Sequence, residues 1–356
     1  MRDSMPRGCL AGEIAPPGTG KGYLALQLGV HLAAGKRFFN IWEIERPRHV
    51  LYVSGEESPR VIHERARAAL LGLPPELREE AAGRFWAFSL AGCVHLVEPD
   101  GKGGIQPTES LNDLERLIDE LEADVVFIDT LGRFTPCDEN NNQAMTMICG
   151  LLEELIARHG CNIVLLHHTN KLGGAFANSK EEMRQSLSQT AIRGASALPA
   201  CIRWGLMMVP LGDEFAQKVI GEEAIGKPPG TYVAARVAKK NEGKSEPVFF
   251  LEHGEGGLFT QVEAVGQDSA LADAELLAEE VRRRAVAIPV EPYLAEKTGG
   301  QDAFGWGWTR SKRAAEKAIE AGLLITEKRP GSRGRGGGYI LISPISPDFP
   351  HEAGGK

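Results

Sequence analysis

The stretch Ala15-Pro16-Pro17-Gly18-Thr19-Gly20-Lys21-Gly22 leads directly into an amphipathic run that begins Tyr23-Leu24-Ala25-Leu26-Gln27-Leu28. A Gly-rich turn ending in Lys, set before a helix, lets backbone N–H groups wrap a phosphate at the helix N-terminus. It reads as a phosphate-binding loop, fed by a strand ending at Gly12 to Ala15 and followed by a helix over 23–34. Against the pattern G-x-x-x-x-G-K-[ST], Gly20 and Lys21 fit and Ala15 replaces the first glycine. Gly22 replaces the hydroxyl residue that meets Mg²⁺. Taken alone, the stretch also admits the lesser reading of a plain turn before a helix; later stretches count against that.

The next unit repeats the first. Arg48 to Val53 is a short β-branched and aromatic run closed by Ser54-Gly55-Glu56-Glu57, and the pattern from Pro59 to Leu70 predicts a helix. Residues 85–90 suit a further strand, Glu98 to Pro107 a Gly-rich loop, and Leu111 to Leu121 an amphipathic helix. Asp124 to Asp129 is a near-continuous apolar run, as expected of a strand buried on both faces of a parallel sheet. A polar stretch from Asp138 to Gln143, a helix over 144–158 and a strand over Asn162 to Leu166 follow, the last ending in His167-His168. Strands alternating with helices predict a doubly wound α/β sheet, whose ligands bind at the carboxyl ends of the strands. Gly20-Lys21, Glu56, Asp129 and His167-His168 all fall at such ends. The segment 171–190 is polar and weakly patterned and reads as a mobile loop. Strand signals at Ile202 to Val209, Tyr232 to Val237 and Val248 to Leu251, read without intervening helices, predict an antiparallel extension.

Hydrolysing a nucleoside triphosphate takes a phosphate cradle with Lys, a carboxylate for Mg²⁺, a base to orient water and a cation to meet developing charge. Lys21 serves the phosphates, Asp129 suits the Mg²⁺ shell, and Glu56 suits the base, with Glu57 as the alternative. For Asp129 the bland alternative is a solvated strand end, and for Glu56 an acid beside the following helix. His167 and His168 either sense the γ-phosphate or form a hydrogen-bonded pair at the sheet edge.

Five stretches then carry a family resemblance: Gly18 to Lys21; Tyr52-Val53-Ser54-Gly55-Glu56-Glu57-Ser58; Val126 to Phe134; Leu165 to His168; and Arg193 to Ser196 with Cys201-Ile202-Arg203-Trp204. In this order, over roughly residues 10–262, they resemble RecA-like ATPases of the RepA type, hexameric replicative helicases of plasmids and phages. The Tyr52 to Ser58 stretch is also similar to RadA recombination ATPases. The resemblance implies a RecA-like P-loop ATPase with a parallel sheet core, bound ATP and Mg²⁺, and a ring, hexameric in this family, acting on single-stranded DNA. It implies Glu56 as catalytic base, Asp129 as the second acidic motif and His168 as phosphate sensor. Pro17, Gly18, Thr19, Gly20, Lys21, Gly22 and Tyr23 would line the nucleotide. Arg203 matches an arginine finger and Lys239 a trans-acting lysine, each given to a neighbour's site; an ordinary solvated cation is the alternative for both. Asn241 stands where related helicases often place a second arginine.

A chain of 356 residues suits two domains, because single cores stop growing at roughly 250–300 residues. The expected division is an ATPase domain over 1–265, a winged-helix-like domain over 270–345 and a disordered tail over 346–356. Helices are predicted over Ala272 to Val286, Val290 to Lys297 and Thr309 to Ala321, then a hairpin of Leu324 to Lys328 and Tyr339 to Ile342. Arg310, Lys312, Arg313 and Lys317 mark the third helix, and Lys328, Arg329, Arg333 and Arg335 the hairpin. Against Glu316, Glu320 and Glu327 these eight cations leave a net +5 in a chain whose total is −8. Such a helix would lie in a duplex groove with the wing on phosphates; a helical protein-docking module is the alternative. Trp306 and Trp308 suit the core more than base stacking. The six scattered cysteines read as reduced thiols, and the absence of a long apolar run or secretory pattern predicts a cytoplasmic protein without membrane contact. The competing functions are a recombination-type ATPase and a DNA-binding regulator that senses ATP without hydrolysing it.

Overall fold

A computed structural model describes residues 1, 4–92, 94–101, 104–136, 138, 141–169, 176–192, 197–241, 246–265, 273–281, 294–295, 308–320, 323–328 and 339–342. The chain divides into two compact units, Met1–Val265 and Gly266–Lys356.

In the first unit the strands are β1 (Leu10–Ala15), β2 (Val50–Ser54), β3 (Phe85–Ser89), β4 (Val97–Pro99), β5 (Ile105–Pro107), β6 (Val125–Asp129), β7 (Asn162–His168), β8 (Trp204–Pro210), β9 (Tyr232–Lys240), β10 (Phe249–His253) and β11 (Phe259–Val262). The helices are α1 (Lys21–Ala34), α2 (Pro59–Leu71), α3 (Pro75–Ala82), α4 (Glu109–Glu120), α5 (Leu131–Phe134), α6 (Asn142–His159), α7 (Lys180–Ser186), α8 (Ala197–Cys201) and α9 (Asp213–Ile220). One sheet runs β3-β2-β6-β7-β1-β8-β9-β10-β11. The first six strands in that order are parallel, and β9, β10 and β11 continue it antiparallel.

The apolar runs dictate this order. All residues of β1 and β6 are buried, as strands sandwiched between helices require. On one face Leu24, Ala25 and Leu28 of α1 pack on Tyr52, Phe127 and Leu166. On the other, Leu114 and Ile118 of α4 and Ile148, Leu152 and Leu155 of α6 pack on Val126, Ile128 and Leu165. The doubly wound parallel core with an antiparallel extension is therefore as expected, and β1 lies inside it with the carboxyl ends of β1, β2, β6 and β7 along one rim. No helix among the described residues is long and apolar enough to cross a membrane. Among the described residues Cys9, Cys149, Cys161 and Cys201 form no disulfide; Cys93 and Cys137 lie outside the described residues.

Several local expectations need correction. β8 belongs to the parallel core and pairs parallel with β1, because α7 and α8 intervene and make the connection from β7 a crossover. Helix α9 also separates β8 from β9. The segment 171–190 is not all loop: Ser179 accepts a hydrogen bond from Glu182 N–H and so starts α7 at Lys180. Residues 98–107 include the antiparallel pair β4–β5. The Asn-rich stretch has a structural use, since the Asn141 side chain accepts from the Gln143 and Ala144 N–H groups and caps α6.

The second unit packs a helix over 273–281 against a helix at Trp308–Glu320, with Leu277, Val281, Ala314, Ala318 and Leu324 in its core. Ile325–Lys328 and Tyr339–Ile342 pair antiparallel. The predicted helix over 290–297 is corrected at its centre: Leu294–Ala295 is a strand paired with Ile340 and Leu341, pairing with a distant strand outweighing local helix propensity. Arg333, Arg335 and the tail 346–356 lie outside the described residues.

Candidate nucleotide-binding site

β1 delivers the chain to the loop and α1 carries it away. Gly18 (φ 76°) and Gly20 (φ 93°) take left-handed backbone conformations, which only glycine adopts cheaply. At Gly20 there is also no room: an added Cβ would overlap His253 Nε2 and lie 2.8 Å from Phe259 Cζ. The buried Thr19 hydroxyl donates to Pro16 O at 2.9 Å and closes the loop on itself. Gly20 gives α1 no side-chain cap, so the leading N–H groups of the helix are left for a ligand.

Lys21 is only 6% exposed. Its ammonium donates to Ala15 O at 3.2 Å, Pro16 O at 3.4 Å and His168 Nδ1 at 3.1 Å. Facing an ammonium, which has only donors, Nδ1 of His168 is the accepting nitrogen. Burial lowers the Lys21 pKa, and the Glu13, Asp129 and Glu56 carboxylates oppose that shift.

Asp129 ends β6, buried, and accepts the Tyr52 phenol on Oδ2 at 2.5 Å. Burial raises its carboxyl to about 6, against the downward pull of that bond and of the Lys21 and Arg65 charges. The Asp129–Thr130 peptide is cis. Across β2, the Ser54 hydroxyl accepts from the N–H groups of Glu56 and Glu57 and turns the chain so that these two acids part. Glu57 pairs with Arg65 at 2.7 Å, and Arg65 lies 4.1 Å over the Tyr23 ring. Glu56 accepts the Thr130 hydroxyl at 2.9 Å and faces Arg133 at 3.5 Å.

A cavity of about 360 Å³ joins the loop to Glu56, Asp129, Arg65, His168 and His253. Of the sequence candidates it gathers Pro17, Gly18, Gly20, Lys21, Gly22, Tyr23, Glu56, Asp129 and His168; Thr19 braces the loop from beneath. His167 is buried and does not line the cavity, so the two histidines have separate environments. Arg203 and Lys239 are not brought to it. Arg203 is exposed where its N–H meets Leu10 O, at the amino end of β1. Lys239 pairs beside it across β8–β9 and donates to Pro199 O at 3.0 Å.

Four groups went unread in the sequence as site residues. Tyr52 and Arg65 look like ordinary core and helix-surface residues, and His253 arrives from β10, nearly 200 residues later. Glu13 did leave a signal, a carboxylate inside a buried strand. It is 1% exposed, and neither carboxyl oxygen has a hydrogen-bond partner. Burial raises its pKa well above the ordinary carboxylate value.

The donor set fits Mg²⁺ carried in with phosphates. Asp129 offers one carboxylate beside a buried phenol. That suits a cation which keeps phosphate and water ligands.

Residues 1–174 match a family described as an AAA domain. Among solved structures, a KaiC-like protein from the hyperthermophilic archaeon Pyrococcus horikoshii OT3 is similar at 14% identity and a TM-score of 0.43, over 72% of this chain and 90% of that one. A RadB recombinase is similar at 18% identity and a TM-score of 0.40, over 72% and 92%. The AAA-domain match covers the residues that build the loop together with Glu56, Asp129 and His168.

Proposed function

We propose that the chain is an ATP-dependent DNA motor of the RepA type, acting on single-stranded DNA as a ring, probed first as a hexamer. The observation that carries this reading is the single cavity holding Lys21, Glu56, Asp129 and His168 around an uncapped helix start. Bound Mg²⁺ would neutralise charge developing on the phosphates beside Asp129. Lys21 exchanges its two loop carbonyls and His168 for phosphate oxygens. That exchange breaks the Lys21–His168 contact, so the imidazole registers whether the phosphate end of the cavity is filled. Glu56, anchored by Thr130, orients the attacking water as base. Arg203 and Lys239 act on a neighbour's nucleotide, in keeping with their place away from their own cavity. We further propose that the second unit is a winged helix, with Arg310, Lys312, Arg313, Arg333 and Arg335 on duplex DNA; its two helices followed by an antiparallel strand pair support this.

The likeness of Tyr52 to Ser58 to RadA ATPases supports a second reading, a recombination ATPase. Phosphate release with and without single-stranded DNA, for wild type, Lys21→Ala, Glu56→Gln and Arg203→Ala, tests the shared part. Stimulation by DNA in wild type and loss in each variant is expected. ATP binding without turnover under any condition would make the protein a nucleotide-gated regulator and end the motor reading. Unwinding of a tailed duplex then favours the helicase, and branch migration without unwinding the recombination ATPase.

A further inference from the structure

Phosphate loops place a Ser or Thr hydroxyl after the Lys, at the Mg²⁺; this chain has Gly22. The space beside Gly22 is already taken. A Cβ there would stand 3.2 Å from Asp129 Oδ2 and 3.3 Å from Tyr52 Oη, tighter than ordinary contact, and would grow a side chain into both. The phenol meanwhile makes the bond that a hydroxyl at 22 would be placed to make, donating to Asp129 Oδ2 at 2.5 Å.

Nothing in packing asks for that oxygen. The Tyr52 ring sits 1% exposed among Leu24, Phe127 and other apolar groups, with Phe127 tilted against it at 6.2 Å. A phenylalanine would fill the same volume. What tyrosine adds is one hydroxyl, held rigidly by its buried ring and aimed at the carboxylate. Its strand places it there, because Ser54 is the register partner of Asp129 in the β2–β6 ladder and Tyr52 lies two residues back on the same face.

We propose that Tyr52 is the positioning residue for Mg²⁺ in this site: its phenol replaces the missing hydroxyl of residue 22 and acts through Asp129. The glycine and the tyrosine are then one device, in which the hydroxyl has moved from the helix to the neighbouring strand and the small residue clears its path. The proposal rests on the reading of the cavity as a nucleotide site.

The test uses the full chain and a fluorescent ATP analogue, first in EDTA and then with increasing MgCl₂. Wild type should bind in EDTA and tighten with Mg²⁺. Tyr52→Phe should bind equally in EDTA but need about 10-fold more Mg²⁺ for half the tightening, the scale of losing a partner behind a metal ligand. Adding Gly22→Ser to Tyr52→Phe, which removes the 3.3 Å obstacle and returns a hydroxyl, should restore the wild-type Mg²⁺ requirement. An unchanged Mg²⁺ requirement in Tyr52→Phe, or an equal loss in EDTA and Mg²⁺, overturns the proposal. Should Tyr52→Phe fail to fold, Gly22→Ser alone decides: no gain in Mg²⁺ affinity is expected, and a 10-fold gain overturns it. If wild type itself does not bind the analogue, the nucleotide reading fails, an outcome visible before any variant is compared.

Discussion

Replacing Glu13 by Leu should make this protein more stable, and more so as pH rises. Both carboxyl oxygens are buried without partners, a state that costs about 1–3 kcal/mol. The register neighbours on either side are Leu166 and Leu206, and Ala11 and Ala15 lie on the same face, so an apolar side chain of similar length meets apolar surroundings. Lys21 does not depend on Glu13 for satisfaction, because Ala15 O, Pro16 O and His168 Nδ1 already accept from it. The sign of the pH effect follows from burial, which raises the carboxyl above its unfolded value of 4.5. Below that value both states hold the proton and the group adds no pH dependence to stability. Above it the unfolded chain releases the proton while the folded one keeps it, so wild type loses about 1.4 kcal/mol per pH unit until the folded carboxyl titrates. Equilibrium urea unfolding at pH 5 and pH 8 measures this. The Glu13→Leu advantage should be about 1–3 kcal/mol near pH 5 and grow by about 1.4 kcal/mol per pH unit above it. A variant less stable than wild type, or an advantage that does not change with pH, would refute the account of Glu13 as a desolvated, unpartnered acid.

Gly20→Ala should lose about 2–4 kcal/mol, combining a left-handed backbone at φ 93° with the overlap on His253; binding of the ATP analogue should weaken with it, and a thermal melt unchanged from wild type would contradict this. Asn141→Ala removes two hydrogen bonds at the start of α6 and should cost about 1 kcal/mol in urea unfolding without changing nucleotide affinity. Arg65→Ala frees Glu57 and uncovers Tyr23; analogue binding should weaken, and the unfolding free energy should fall by about 1 kcal/mol, the upper end for a pair that is only half-buried.

The parts of the site that sequence revealed are those fixed by local rules. Gly20 and Lys21 carry the turn, and Asp129 closes an apolar run whose burial is plain from composition. The neighbours that complete the chemistry are set by pairing between distant strands. Tyr52 reaches Asp129 only because β2 lies beside β6, and His253 reaches Gly20 only because the antiparallel strands fold back over α1. Neither contact has a trace in its own stretch. The parallel placement of β8 was hidden because the crossover before it is made of helices of only seven and five residues, too short for a hydrophobic period, and α7 is announced by its cap at Ser179 alone. Glu13 was legible, since a carboxylate in a strand as apolar as Leu10 to Ala15 has to be explained.

The distance between Arg203 and its own cavity has a genetic consequence under the proposed trans role. β1 is six residues long, so the amino end beside Arg203 and the phosphate loop stand about 20 Å apart, beyond the span of an arginine side chain. A subunit then offers a loop on one rim and a finger on another, which fits head-to-tail association and not a self-complementary pair. Two inactive variants, Lys21→Ala and Arg203→Ala, would each keep the half that the other lacks. Mixed in equal amounts and allowed to reassemble, they would place an intact loop against an intact finger at about a quarter of their contacts. Activity would return from two preparations that have none, and excess of either would silence the wild type in proportion to the contacts it spoils.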